Sequence, residues 1–77
     1  MLGNQIEEGL KIGNIIKSNS DSFVFIESDN ERYFAHISNF ADIKSVYELK
    51  KVANGRLASF EEGQNVKGLF AKNIKLL

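Results

Sequence analysis

Cysteine, tryptophan and proline are absent from this chain, and histidine and methionine each occur once. Without cysteine there is neither a disulfide framework nor a thiolate metal site, a composition that fits a reducing cytoplasm. One histidine with no cysteine rules out Cys–His and His–His pairing within a chain, and no group of side chains has metal-ligand spacing. The composition therefore argues against an enzyme, and it assigns no catalytic residue, no metal and no cofactor. Charge of one sign is lacking too. Ten Lys plus Arg against ten Asp plus Glu sum to zero, so no global field attracts a polyanion and any nucleic-acid binding must come from local arrangement. Apolar runs are only a few residues long, and Met1-Leu2-Gly3-Asn4-Gln5 lacks the basic and apolar regions of a secretory leader, so the expectation is a cytoplasmic chain with no membrane partner. What is present is ordinary globular material: 77 residues, 43% hydrophobic and 26% charged, read as one domain over 1–77 with a single modest core.

Turn-forming clusters punctuate the chain at Asn19-Ser20-Asp21-Ser22, Ser28-Asp29-Asn30-Glu31, Asn54-Gly55 and Glu61-Glu62-Gly63-Gln64. Between the first two, Phe23-Val24-Phe25-Ile26 is an aromatic and β-branched run of strand length. Leu10 to Lys17 is a strand before it, carrying Gly13 where a bulge or sharp coil is tolerated, and Arg32 to Ile37 is a strand after it. Short connections make these three an antiparallel meander. Ala41 to Ala53 reads as a helix instead, a helical insert over about 41–54 with Ile43, Val46, Tyr47 and Lys50 on one stripe and Leu49 and Val52 beside it. Asp42 is its expected N-cap and Asn54-Gly55 its stop. Arg56 to Phe60 then leads into a turn. Val66, Phe70, Ile74 and Leu76 share one parity, interrupted at Gly68 and Lys72, as in one or two strands with a bend at the glycine.

Period-two geometry sets Phe23 and Phe25 on the opposite face of their strand from Val24 and Ile26, and Phe34 and His36 opposite Tyr33, Ala35 and Ile37. With the rings outward, Phe23, Phe25, Phe34 and His36 form a platform on which unpaired bases can stack, each worth about 1–3 kcal/mol. The opposite orientation would put the rings in the core and leave Val24, Ile26 and Ala35 outside. It would make a poor surface and bury His36 without an obvious partner.

These motifs resemble the bacterial cold-shock domain. Phe23-Val24-Phe25-Ile26-Glu27 is similar to that family's Phe-Gly-Phe-Ile motif, and Tyr33-Phe34-Ala35-His36-Ile37-Ser38 to its Val-Phe-Val-His-Phe-Ser motif. Glu61-Glu62-Gly63-Gln64-Asn65-Val66 is similar to its Glu-Glu-Gly-Gln-x-Val turn, and Ala71-Lys72-Asn73-Ile74-Lys75-Leu76 to its closing strand. The resemblance implies an all-β fold, a small five-stranded antiparallel OB-fold barrel. Here it carries a short helix inserted after strand 3 and a shortened connection between strands 4 and 5. It implies sequence-tolerant binding of single-stranded RNA or DNA, in an RNA-chaperone or cold-shock-like regulatory role, through Phe23, Phe25, Phe34 and His36, with Lys17 beside the platform as the phosphate contact. The chain departs from the family in having no tryptophan, in Asp21-Ser22 where a Lys-Gly stands, and in Ile37 where the motif ends in Phe.

Two rival readings fit the same residues. A protein-interaction OB module would use Phe23, Phe34, Phe40 and the added helix to bind a partner, and an S-one-type RNA-binding domain shares the fold and the His-Ile-Ser turn. The short link from Val66 to Ala71 leaves two alternatives. Either Gly68 makes a tight turn within a small, gapped barrel, or Gln64 to Leu77 runs on as one strand and is exchanged in a two-fold homodimer.

Overall fold

The computed structural model describes residues 10–51 and 54–77. Strands β1 (Leu10–Lys17), β2 (Phe23–Ser28) and β3 (Glu31–His36) are followed by one 3-10 turn, Ile37–Asn39. Helix α1 (Ile43–Leu49) and strands β4 (Leu57–Asn65) and β5 (Gly68–Leu76) complete the chain. The β2–β3 hairpin closes on Ser28↔Glu31, leaving Asp29 and Asn30 as a two-residue turn with φ of 53° and 67°. Both are residues that tolerate the left-handed backbone such a turn requires. The expected meander of strands one to three is therefore present.

The sheet closes on itself in the order β1-β2-β3-β5-β4. Closure depends on β1 serving two neighbours: Leu10 to Asn14 pair with β4, and Asn14 to Lys17 pair with β2. The strand must coil sharply where the partners change, and Gly13 sits at that point, so close to β2 that a side chain there would meet the Glu27 carbonyl. Four of the five seams are antiparallel, and the fifth, β3 with β5, is parallel through Phe34↔Phe70. With one short helix between β3 and β4, this is an OB-like small barrel.

The inward positions fill the barrel with unequal side chains. Ile15, Ile26, Phe60 and Ile74 are the largest fully buried residues, and Ala35, Ala58 and Ala71 make room for them. Each large side chain contributes about 1.5–3 kcal/mol on burial. The Tyr33 ring packs 4.9 Å from that of Phe60, and its hydroxyl donates to Glu62 Oε1 at 3.1 Å at the barrel rim. Burial and this carboxylate together push the Tyr33 phenol up to about 12. Phe40 belongs to this core as well.

The helix is shorter than the expected insert and turns a different face inward. Asp42 caps it as expected, its Oδ1 accepting from the Ser45 N–H at 2.7 Å. It ends at Lys50, well before Asn54-Gly55, and Val52 and Ala53 of the expected helix lie outside the described residues. Ser45 and Leu49 are buried and Val46 packs against the core, whereas Ile43 and Tyr47 are 68% and 66% exposed. Leu49 joins the barrel core, and with Lys50 it lines a cavity at the barrel end that Phe23 also borders. Asn54 and Gly55 have another task. Asn54 Oδ1 accepts from the Lys17 N–H, and Gly55, at φ 93°, donates to the Ile15 carbonyl and leads the chain into β4.

The turn expected at Glu61 to Gln64 is absent, and β4 runs straight through it. The chain reverses instead at Val66 and Lys67, between the paired Asn65 and Gly68. Asn65 Oδ1 accepts from the Lys67 N–H, and the left-handed backbone falls on Gly68 at φ 127°. Gly68 thus forms the tight turn within one chain, and β5 pairs with β4. The shared parity expected from Val66 to Leu76 breaks at Asn73, whose φ is 50°, opposite the register shift between Ser59 and Glu61. Ala71 and Ile74 consequently both point inward, and Phe70 points out.

Candidate nucleic-acid interface

Residues directly opposite in an antiparallel pair project to the same side. Phe25↔Phe34 and Phe23↔His36 are such pairs, and their chain neighbours Val24, Ile26, Tyr33 and Ala35 are buried. The four rings therefore share the outer face. Phe34 is 38% exposed, while Phe23, Phe25 and His36 are partly covered. Ring centroids lie 5.0 Å apart for Phe23–Phe34, 5.6 Å for Phe23–Phe25, 6.2 Å for Phe25–Phe34 and 6.3 Å for Phe34–His36. These are ordinary aromatic-pair separations, so the cluster holds its own shape at the surface.

His36 has a structural task besides. Its Nδ1 accepts from the Ser38 N–H at 3.1 Å and caps the 3-10 turn, which puts the ring proton of the neutral form on Nε2. The ring is thereby held in orientation beside Phe34.

Lys17 is not brought onto this face. It pairs with Val24, on the inward-pointing register at the end of β1, and the residue opposite Phe25 is Ile16. Lys17 instead lines a cavity of about 290 Å³ at the barrel end with Ser18, Asp21, Phe23 and Lys50. Only Phe23 is common to the ring cluster and this cavity.

Three residues at the ring face escaped the sequence reading. Arg32 holds its guanidinium carbon 5.7 Å from the Phe25 ring centroid while donating to Glu27 Oε2 at 2.9 Å. Its signal was legible, because Arg32 shares the parity of Phe34. Phe70 and Lys67 arrive only through the β4–β5 hairpin and the β3–β5 seam, and nothing local marks them. Among the described residues no three His, Asp or Glu side chains are grouped to hold a metal ion, and no helix is long and apolar enough to cross a membrane.

No protein-family model matches this chain, and no curated protein matches it.

Proposed function

We propose that this protein binds single-stranded RNA or DNA with little sequence preference, stacking bases on Phe23, Phe25, Phe34 and His36. The observation that carries the reading is the outer aromatic cluster itself. A barrel whose core is filled by Phe60, Tyr33, Ile15, Ile26 and Ile74 has no packing need for three phenylalanines on its outside. Flat π-faces side by side at a solvated surface suit unpaired bases, each contributing about 1–3 kcal/mol. A duplex keeps its bases stacked on one another, so it offers such a face nothing comparable. Arg32 beside Phe25 supplies a cation near the rings, and Lys17 with Lys50 supplies two at the barrel end for the backbone as it leaves Phe23.

With zero net charge the long-range electrostatic contribution is small, and affinity should fall in the roughly micromolar range of non-specific binding. A role as an RNA chaperone or cold-shock-like regulator fits this binding mode and the motif resemblance. The test is fluorescence anisotropy with labelled oligo-dT, oligo-U and a duplex at two salt concentrations. Micromolar binding of the single strands that weakens with salt, and weaker binding of the duplex, is expected. Equal affinity for duplex, or no single-strand binding at low salt, overturns the reading. A protein-interaction module is then the second reading, favoured by the exposed Ile43 and Tyr47 one turn apart on α1.

A further inference from the structure

We propose that the single-strand path continues past the four rings, across the β3–β5 seam, into a groove between Phe34 and Phe70 that holds one further base and its phosphate. This rests on the reading of the aromatic face and extends it to residues on β5 and the β4–β5 turn. Parallel pairing at Phe34↔Phe70 sets the two side chains next to each other on the outer face. The distal half of the Phe70 ring rests on Gly63, its partner across β4. A Cβ at Gly63 would lie 2.4 Å from Phe70 Cζ, so only glycine lets the ring lie there.

The groove has a volume of about 610 Å³ and is walled by Phe25, Phe34, Leu69 and Phe70, with Arg32 and Lys67 on its rim. That volume is within the roughly 300–1,000 Å³ of small-ligand sites. Its charge sets it apart from three other surface cavities, each of which includes a carboxylate. Asp21 lines the one near Lys17; Glu27, Asp29 and Glu31 line that under the β2–β3 turn; and Glu61 lines the one near Leu10. No carboxylate lines the Phe70 groove. Arg32 is ion-paired with Glu27, which is not among the groove's lining residues. An aromatic groove with Lys67 and an ion-paired Arg32 on its rim and no acid in its lining fits a planar, anionic ligand, and a base with its phosphate is that ligand where the groove runs on from a stacking face.

The experiment titrates the whole chain with labelled oligo-dT of seven nucleotides, comparing wild type with Phe70→Leu, Lys67→Ala and Phe34→Ala. Leucine keeps an apolar cover over Gly63 but removes the π-face. Phe70→Leu should weaken binding roughly five- to hundredfold at an unchanged melting temperature. Lys67→Ala should lower the slope of log affinity against log salt by about 0.7. If Phe34→Ala weakens binding and Phe70→Leu does not, the path ends at the four rings and the groove is refuted while the aromatic-face reading stands. If wild type binds no oligonucleotide, both fall. Should Phe70→Leu melt early, the Gly63 and Lys67 amide resonances of the wild type decide. They should shift on saturation with the oligonucleotide, and unmoved resonances overturn the groove.

Discussion

Replacing Gly13 with alanine should remove a large part of this small domain's stability. The residue is buried at the point where β1 leaves β4 for β2. A methyl group there would stand 2.4 Å from the Glu27 carbonyl oxygen and 2.7 Å from Ile26 Cγ2. Close carbon–oxygen contacts in proteins sit at about 3.3 Å or more, so β2 would have to retreat by roughly 0.9 Å. The obstacle is backbone and cannot rotate away. Retreat would strain the Asn14↔Glu27 pairing and the 2.9 Å bond that Ser28 Oγ donates to the Ile12 carbonyl. Overpacking of this kind costs about 1–3 kcal/mol, and a weakened hydrogen bond adds about 0.5–1.5 kcal/mol. The lower chain entropy of alanine in the unfolded state offsets about 0.4–1 kcal/mol. A net loss of about 2–3 kcal/mol should lower the melting temperature by roughly 10–20 °C for a domain of this size. Thermal and urea unfolding followed by circular dichroism measure it, with Gly63→Ala as the control. There the clash is with the end of the Phe70 side chain on the outer face, which can swing clear, and the loss should stay below about 1 kcal/mol. A Gly13→Ala protein that melts within about 2 °C of wild type would refute the steric account of how β1 changes partners.

Phe25→Ala and Phe34→Ala should each reduce single-strand binding by about 1–3 kcal/mol in an anisotropy titration. Both should retain cooperative unfolding, since the rings lie outside the core; an unfolded variant would make them structural. Tyr33→Phe removes the hydroxyl bond to Glu62 and should lower stability at neutral pH by about 0.5–1.5 kcal/mol. Because the folded-state phenol titrates at about 12 against an ordinary 10, its share of stability is complete below the ordinary value. That share is lost as pH rises through the folded one. The difference in melting temperature between wild type and Tyr33→Phe should therefore narrow between about pH 10 and 12. Asp42 has its carboxyl held below the usual range by the bond from the Ser45 backbone N–H, helped by Lys75 and Lys44. Its contribution is present above the ordinary carboxylate value and lost as pH falls through the depressed one. Asp42→Asn keeps an acceptor for Ser45, so melting curves from pH 2 to 6 should show less acid sensitivity at this site.

Some errors in the sequence reading have a common cause. Glu61-Glu62-Gly63-Gln64 has the composition of a turn, yet it is strand because its partners lie far along the chain. Glu62 meets Tyr33 Oη and Lys11 Nζ at the rim, Glu61 pairs with Lys72, and Gly63 lies under Phe70. Val66 and Lys67, where the chain does reverse, carry no turn signal of their own. The helix stripe is decided in a similar way. Apolar residues lie on both sides of α1, and the end of the barrel, which takes Leu49, decided that Ile43 and Tyr47 face solvent.

The sequence by itself determined the strand identities of the first half, the Asp42 cap and the grouping of Phe23, Phe25, Phe34 and His36 on one parity. Each depends on alternation or on a hydrogen bond within a few residues, and backbone geometry fixes those locally. Tertiary structure alone decided that Lys17 leaves the ring face and that Phe70 and Lys67 join it. Their positions depend on how β1 divides its pairing between two neighbours and on the parallel β3–β5 seam. Those are conditions for closing a five-stranded barrel, set by strand tilt and register around the whole sheet, and no short stretch of sequence contains them.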